Sequence, residues 1–488
     1  MTVNLRSARW SAIAVAMWWL SASVACIPKV ARIPMWAKPP DITAPVSAPE
    51  QPWTPSYPKP IPPAGEVESA AAQAPGRIWD LPSLVDFALA HNPRTRLSWA
   101  QSHAAAAAMG RTNASFYPTI DLEGSFLRSR GTVPFIGQTR SQTIMEPAAK
   151  LNYVLYDFGA RAAISEEARN ALLAANLNHN EAIQVVTFQV QEAYYHLTGT
   201  RAMLAAREAG LREAQESLDA AQERHRTGTA TIADVAQAKA ALSLSQLQLQ
   251  TELGQVEIAR GVLAAVVGWV PNASFKTPDL PAGPPTGEAE AGIEVLLQKA
   301  KEERPDLAAL QAEASSAKAR LRWARARALP VLSVTGGAAA PYNSTRQYAA
   351  SDNYLSPEYY IGATLRFPLF TGHEIEYTQQ QARFDLEAAT ERRRLLEQQI
   401  GIEVWTSYYE LRTAADRVKT SAELLASAQQ SYEVNLGRYE AGVGDILEVL
   451  SAQAVLEDAR SQQIRARTDW YLAAARLAYS TGTLMTKP

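Results

Sequence analysis

The chain is one unit written twice. Pro93 and Pro118 lie 25 residues apart, and Pro305 and Pro330 repeat that spacing at an offset of 212. Tyr156-Asp157-Phe158-Gly159 aligns with Leu369-Phe370-Thr371-Gly372 at offset 213. Ala193-Tyr194-Tyr195 aligns with Ser407-Tyr408-Tyr409, Arg224 with Arg438, Gly228 with Gly442, and Gly268 with Gly482, all at offset 214. A drift of only two over the whole alignment marks a duplication with small loop insertions. Whatever supersecondary unit the first copy makes, the second must also make, and the two must pack together.

Each copy has the same internal order. A helix is expected over 79–116 and again over 293–329, followed by two short stretches of alternating polarity. Proline-free tracts over 148–270 and 369–487 then read as helix, because nothing in them breaks the backbone hydrogen-bond ladder. A glycine-bearing turn interrupts each tract once, at Thr227-Gly228-Thr229 and at Ala441-Gly442-Val443-Gly444. The runs 157–225 and 371–439 are 69 residues each, which as helix would reach roughly 100 Å. Two shorter helices placed end to end would flank each long one. Every seventh residue after the first turn is Val235, Leu242, Leu249, Val256 and Leu263; the second copy has Val449, Leu456, Gln463, Trp470 and Leu477. Such a column indicates left-handed coiled-coil packing.

The short stretches have a period of two. Ile120, Leu122 and Phe126 alternate with Thr119, Asp121, Glu123 and Ser125. Leu151, Tyr153 and Leu155 form the second set, Leu332 and Val334 the third, and Tyr359, Ile361, Leu365 and Phe367 the fourth. These predict four strands per chain, each with one apolar face, bracketing long loops over 127–147 and 340–358. A half-buried sheet on a soluble domain fits the alternation; so does a membrane β-barrel, apolar outside and polar inside. Four strands cannot close a barrel, and an open edge in lipid leaves backbone groups without partners. Three copies would supply twelve strands, enough for an aqueous bore.

The N-terminal segment reads as a processing signal. Arg6 and Arg9 precede an apolar run, and small residues lead to Cys26, the chain's single cysteine. Lipidation of Cys26 is one expectation; ordinary cleavage after Ser23-Val24-Ala25 is the other. Twelve prolines within 28–63 exclude helix there and predict an extended arm, with Trp36 and Trp53 suited to packing along another surface. The expected division is a signal over 1–25, an arm over 26–77, a first repeat over 78–270, a linker over 271–291, a second repeat over 292–483 and a tail over 484–488. A formal charge of −2 gives no basic surface for nucleic acid, and one cysteine with six scattered histidines offers no metal or redox motif. No nucleophile elbow or phosphate loop points to an enzyme, and no cofactor is expected. A lipid-anchored coiled-coil scaffold without a pore is the rival class.

The paired X-Pro…Pro segments, the two strand exits and the two glycine turns at fixed offsets resemble the TolC/OprM family of outer-membrane efflux channels, over about 78–483. The imperfect lipoprotein signal and proline-rich arm resemble its lipidated branch. The resemblance implies a mostly α protomer with a small membrane β-barrel: a homotrimer with a twelve-stranded barrel and an α-helical tunnel. It implies docking of a periplasmic adaptor at Thr227, Gly228, Thr229, Ala441, Gly442 and Val443, alongside an inner-membrane pump. It places Glu448 and Ser451 at acidic-ring positions of the periplasmic gate and matches Asp234 and Tyr439 to a Tyr–Asp lock. Gly444 falls where some members carry an arginine. Asp121 and Glu123 would face the barrel lumen. The glycines also simply make turns, and Asp234 and Glu448 also suit helix N-termini. The implied activity is passive export of toxic organic compounds or antibiotics, with metal ions or a secreted polypeptide as alternative cargo.

Overall fold

The computed structural model describes residues 48–53, 78–133, 138–281, 292–347 and 350–485. These all fall in one compact unit, Thr43–Pro488. Cys26 and Trp36 lie outside the described residues.

The first copy runs α1 (Leu81–His91), α2 (Pro93–Asn113), β1 (Thr119–Val133), β2 (Gln138–Tyr156), α3 (Ala160–Arg226) and α4 (Ile232–Val267). The second runs α5 (Ile293–Glu303), α6 (Pro305–Ala326), β3 (Val331–Ala339), β4 (Tyr342–Gln347), β5 (Ala350–Leu355), β6 (Glu358–Arg366), α7 (Glu374–Glu440) and α8 (Ile446–Ser480). Both long helices have 67 residues. No described helix is long and apolar enough to cross a membrane.

Three expectations need correction. The helices predicted over 79–116 and 293–329 are each broken at the X-Pro junction. Proline has no N–H and pushes the preceding residue out of the α region, so Asn92 and Arg304 are extended and Pro93 and Pro305 start new helices. The loops expected over 127–147 and 340–358 are largely strand. β1 and β2 stay paired from Thr119↔Asn152 to Val133↔Gln138, and β4 and β5 form a hairpin whose β4 also pairs with β2 at Arg140–Met145. The 148–156 part of the first proline-free tract is the end of β2 rather than helix.

The four predicted strand tracts are strand, except that Phe367 lies just past the end of β6. β2 pairs along one side with both β3 and β4, so these two read as one strand interrupted at Ala340 and Pro341; β5 and β6 are its partner, interrupted at Ser356 and Pro357. The lateral order is β1–β2–β3–β6, with β1 and β6 at the edges. Ile120, Leu122, Leu151, Val334, Ile361 and Leu365 share one face by register; Asp121, Glu123, Lys150, Thr335 and Thr364 share the other.

The helices repeat this order. α2 lies along the first half of α3, held by Ser165–Asn113 at 2.6 Å and Ser98–His179 at 2.8 Å. α4 lies along the second half, where Arg207 donates to Gln248 at 2.9 Å. Laterally the layers run α2–α3–α6–α7 beside the sheet and α4–α3–α8–α7 beyond it. The heptad column is the seam: Leu242, Leu263, Val449, Leu456, Trp470 and Leu477 are buried. At the edges, Leu247 and Ile258 on α4 and Leu395 and Ile402 on α7 are exposed.

Where α2 and α4 meet end to end, the duplication solves one problem twice. The last carbonyls of a helix lack partners. Asn92 Nδ2 donates to Val266 O at 2.8 Å, and Arg304 Nη1 donates to Ser480 O at 3.3 Å. The residue before each hinge proline therefore caps the helix arriving from the other direction. Arg304 also holds Asp306 and Glu403 at 2.6 and 2.5 Å. Burial alone would lower its pKa; the two carboxylates raise it above the ordinary arginine value. The segment around Lys276 joins this girdle, accepting from Trp79 N at 2.8 Å. So does part of the arm. Trp53 N donates to Asn180 Oδ1 at 2.7 Å, and the Gln51 carbonyl meets the ring of buried His179, whose pKa burial lowers to about 4.

The helix-ending glycines face these hinges. Gly268 has φ +96°, and an added Cβ would meet His91 O at 3.5 Å. Gly482 has φ +76°, and an added Cβ would lie 2.9 Å from the Glu303 carbonyl carbon. Gly268→Ala should cost about 1–2 kcal/mol for the left-handed backbone, and Gly482→Ala more, about 3 kcal/mol. Denaturant unfolding of both variants checks the ranking; equal costs would show that the close approach at Gly482 does not matter.

Candidate functional site

The two helix-turn-helix tips come together at the end of the helical body farthest from the sheet. Gly228 and Gly442 have φ +73° and +81°, which lets each chain reverse within a few residues. The first turn is tied to one carbonyl: Thr229 N, Thr227 Oγ1 and Thr229 Oγ1 all donate to Arg224 O at 2.9–3.1 Å. In the second, Val443 N donates to Arg438 O at 3.0 Å. Thr227, Gly228, Thr229, Ala441, Gly442 and Val443 are all exposed, so the six predicted docking residues form the outer surface of the tips.

Behind them lies an open cleft of about 470 Å³, lined by Arg224, Asp234, Tyr439, Gly444, Asp445 and Glu448 among others. It gathers three of the four predicted gate residues; Ser451 is exposed on the next turn of α8 and does not line it. Glu448 is half-exposed and pairs with Arg438 at 3.2 Å. Asp234 accepts from Thr231 N at 2.7 Å while Thr231 Oγ1 accepts from Asp234 N, a reciprocal capping box for α4.

The expected Tyr439–Asp234 hydrogen bond is not made in this protomer. The Tyr439 hydroxyl is buried without a hydrogen-bond partner. Burial raises its pKa, Asp234 and Asp445 add to the rise, and Arg224 opposes it. The bond between tips comes from Arg224 instead. Its Nη1 donates to Tyr439 O at 2.5 Å, and its guanidinium sits 4.4 Å from the centroid of the Tyr439 ring. One side chain in the last turn of α3 thus neutralises the carbonyl end of α7 and stacks on its aromatic residue. The repeat alignment marked Arg224 only as the counterpart of Arg438; that both close helices that end at the tips was the available signal. Gly444 is packed tightly, and an added Cβ would meet Tyr439 N at 3.0 Å. An arginine at 444 cannot be accommodated without moving this turn.

At the opposite end, Asp121 and Glu123 stand on the polar face of the sheet. Glu123 accepts from Lys150 Nζ at 2.6 Å, and Lys150 is paired in register with Asp121.

These contacts separate two locks by mutation. Arg224→Gln removes a charged hydrogen bond and a ring contact, about 2–3 kcal/mol at the tip. Tyr439→Phe removes only an unpartnered hydroxyl and should be neutral or slightly stabilising. Spin labels at positions 227 and 441 report the tip-to-tip distance. It should broaden in Arg224→Gln and stay narrow in Tyr439→Phe; the reverse pattern would make the hydroxyl the lock.

The family described as outer membrane efflux protein matches residues 84–269 and 296–483, one stretch for each copy of the duplication. Protein CyaE of Bordetella pertussis is 30% identical over 436 residues, covering 85% of this chain and 89% of that protein. The pyoverdine export outer membrane protein OpmQ of Pseudomonas aeruginosa is 25% identical, covering 68% of this chain and 67% of its own length. The solved structure of the outer membrane protein VceC of Vibrio cholerae superposes with a TM-score of 0.71 at 20% identity, covering 82% of this chain and 96% of VceC. With the family matched across both copies, the chain belongs to the outer membrane efflux proteins and is an outer-membrane channel of the TolC/OprM type.

Proposed function

We propose that three copies of this chain form the exit duct of a tripartite efflux system, carrying toxic organic compounds or antibiotics from the periplasm to the outside. The observation that supports this reading best is that every layer is open on the same two sides. β1, α2 and α4 form one margin, and β6 and α7 the other. The edge strands carry unpaired backbone groups, and Ile120, Leu122, Tyr359 and Ile361 are 72–89% exposed. Joining the β1 margin of one copy to the β6 margin of the next seals the strands and covers the apolar helix edges together. Three such joints give a twelve-stranded barrel with Asp121 and Glu123 inside.

The duct itself is passive. An inner-membrane pump supplies the energy, and a periplasmic adaptor docks on the exposed tips. Three Glu448 carboxylates near the axis would attract cations, and Arg438 partly offsets them. The tips open when Arg224 releases the end of α7. Because OpmQ is named for pyoverdine export, a small organic cargo suits this chain as well; the pump selects it rather than the shared tunnel.

Single-channel recording of the purified protein tests the reading. A steady, cation-selective conductance is expected, rising in Arg224→Gln and losing selectivity by several-fold in Glu448→Ala. No current from a folded preparation would favour a coiled-coil scaffold, and unchanged selectivity in Glu448→Ala would remove the acidic ring.

A further inference from the structure

The apolar face of the sheet is not uniform. At the level of Leu122 its side chains run Leu122, Ala149, Ala338 and Tyr359 across the four strands in register. Two large residues at the edges flank two alanines, and Pro147 and Pro357 continue the floor one row up. The result is a shallow, predominantly apolar groove of about 620 Å³.

Higher on the same face of β1, past Phe126, stand Arg128 and Arg130. They pair in register with Thr143 and Ser141, so they share the face of Ile120, Leu122 and Phe126. Both arginines are exposed, and neither forms an ion pair among the described residues. By register the described acidic residues of the sheet, Asp121, Glu123, Glu146, Asp352 and Glu358, fall on the opposite face; of these only Glu358, at the start of β6, borders the groove.

The spacing fits half a bilayer. Six residues separate Leu122 from Arg128, roughly 20 Å of strand. At a tilt of about 40° that is a rise of roughly 15 Å, half of a hydrocarbon core about 30 Å thick. With the groove near the midplane, the arginines stand at headgroup level. They lie toward the hairpin end of the sheet, away from the helices, and therefore in the outer leaflet.

Resting on the reading of this face as the lipid-facing side of a barrel, we propose that it holds the phosphorylated glycolipid of the outer leaflet. Arg128 and Arg130 bind its phosphates, and one acyl chain lies in the alanine-floored groove below. Arginine is suited to phosphate by its planar fork of donors, and small side chains leave the space an acyl chain fills.

The test is native mass spectrometry of the full-length protein in nanodiscs of neutral lipid doped with hexa-acylated diphosphoryl lipid A. Parallel arms use the same lipid with both phosphates removed, phosphatidylglycerol, and inorganic phosphate. The wild type should retain diphosphoryl lipid A through delipidation. Each of Arg128→Gln and Arg130→Gln should lower retention roughly fivefold. Ala149→Phe should lower it with both arginines intact. Inorganic phosphate should not compete, and phosphatidylglycerol should be held less well than lipid A. Equal retention of the phosphorylated and dephosphorylated lipids, of wild type and arginine variants, or of lipid A and phosphatidylglycerol overturns the site. Conductance of the same preparations separates the failures. Current with indiscriminate lipid binding sinks only this inference; a preparation without current sinks the barrel and the lipid site with it.

Discussion

An unpaired strand edge cannot rest in hydrocarbon, and this chain has two. β1 bonds only to β2 and β6 only to β3, so each leaves a row of N–H and C=O groups open. In water such edges invite aggregation; in lipid each orphaned group costs several kcal/mol. The requirement extends down the molecule. On the same margins α4 exposes Leu247 and Ile258 and α7 exposes Leu395 and Ile402, so one closure serves sheet and helices together. Within the protomer the inner elements are already satisfied. α3 is enclosed by α2, α4, α6 and α8, and its side chains fill the buried clusters around Val186, Leu197 and Leu218.

Duplication explains how a chain with so few chemical landmarks specifies its layers. Each copy supplies one hairpin and one long helix with three shorter ones packed along it, and each junction caps the equivalent carbonyl. Asn92 and Arg304 differ in chemistry yet cap equivalent carbonyls, Val266 and Ser480. The second copy has invested more polarity here. Arg304 is 6% exposed and needs both Asp306 and Glu403; removing one carboxylate leaves a poorly compensated charge, a loss of about 3–5 kcal/mol.

Much of this was legible in the residues. Proline spacing revealed the duplication, the heptad column located the seam, and alternation located the four strand tracts. The extended hairpins were not legible, for a physical reason. Beyond Phe126 the sequence is Leu127, Arg128, Ser129 and Arg130, so the apolar–polar alternation ends although the hydrogen-bond ladder continues. The X-Pro breaks were missed because the residues on both sides of each proline form helix; the extended backbone at Asn92 and Arg304, forced by the proline that follows, separates two helices from one. At the tips, glycine marked the turns, and the family resemblance rather than any local pattern singled out Asp234, Tyr439 and Glu448, which line the cleft. Arg224 escaped because its partner is a backbone carbonyl, which every residue has and no sequence pattern displays. Gly444 had an unseen role as well, since its missing Cβ is what lets the turn close on Tyr439.

The central claim is that the two margins of one protomer are sealed by other copies. The mass of the assembly extracted intact from outer membranes in mild detergent tests this most directly. A complex of three chains, persisting on dilution, is the predicted result. A stable, folded single chain with β1 and β6 still open would contradict it.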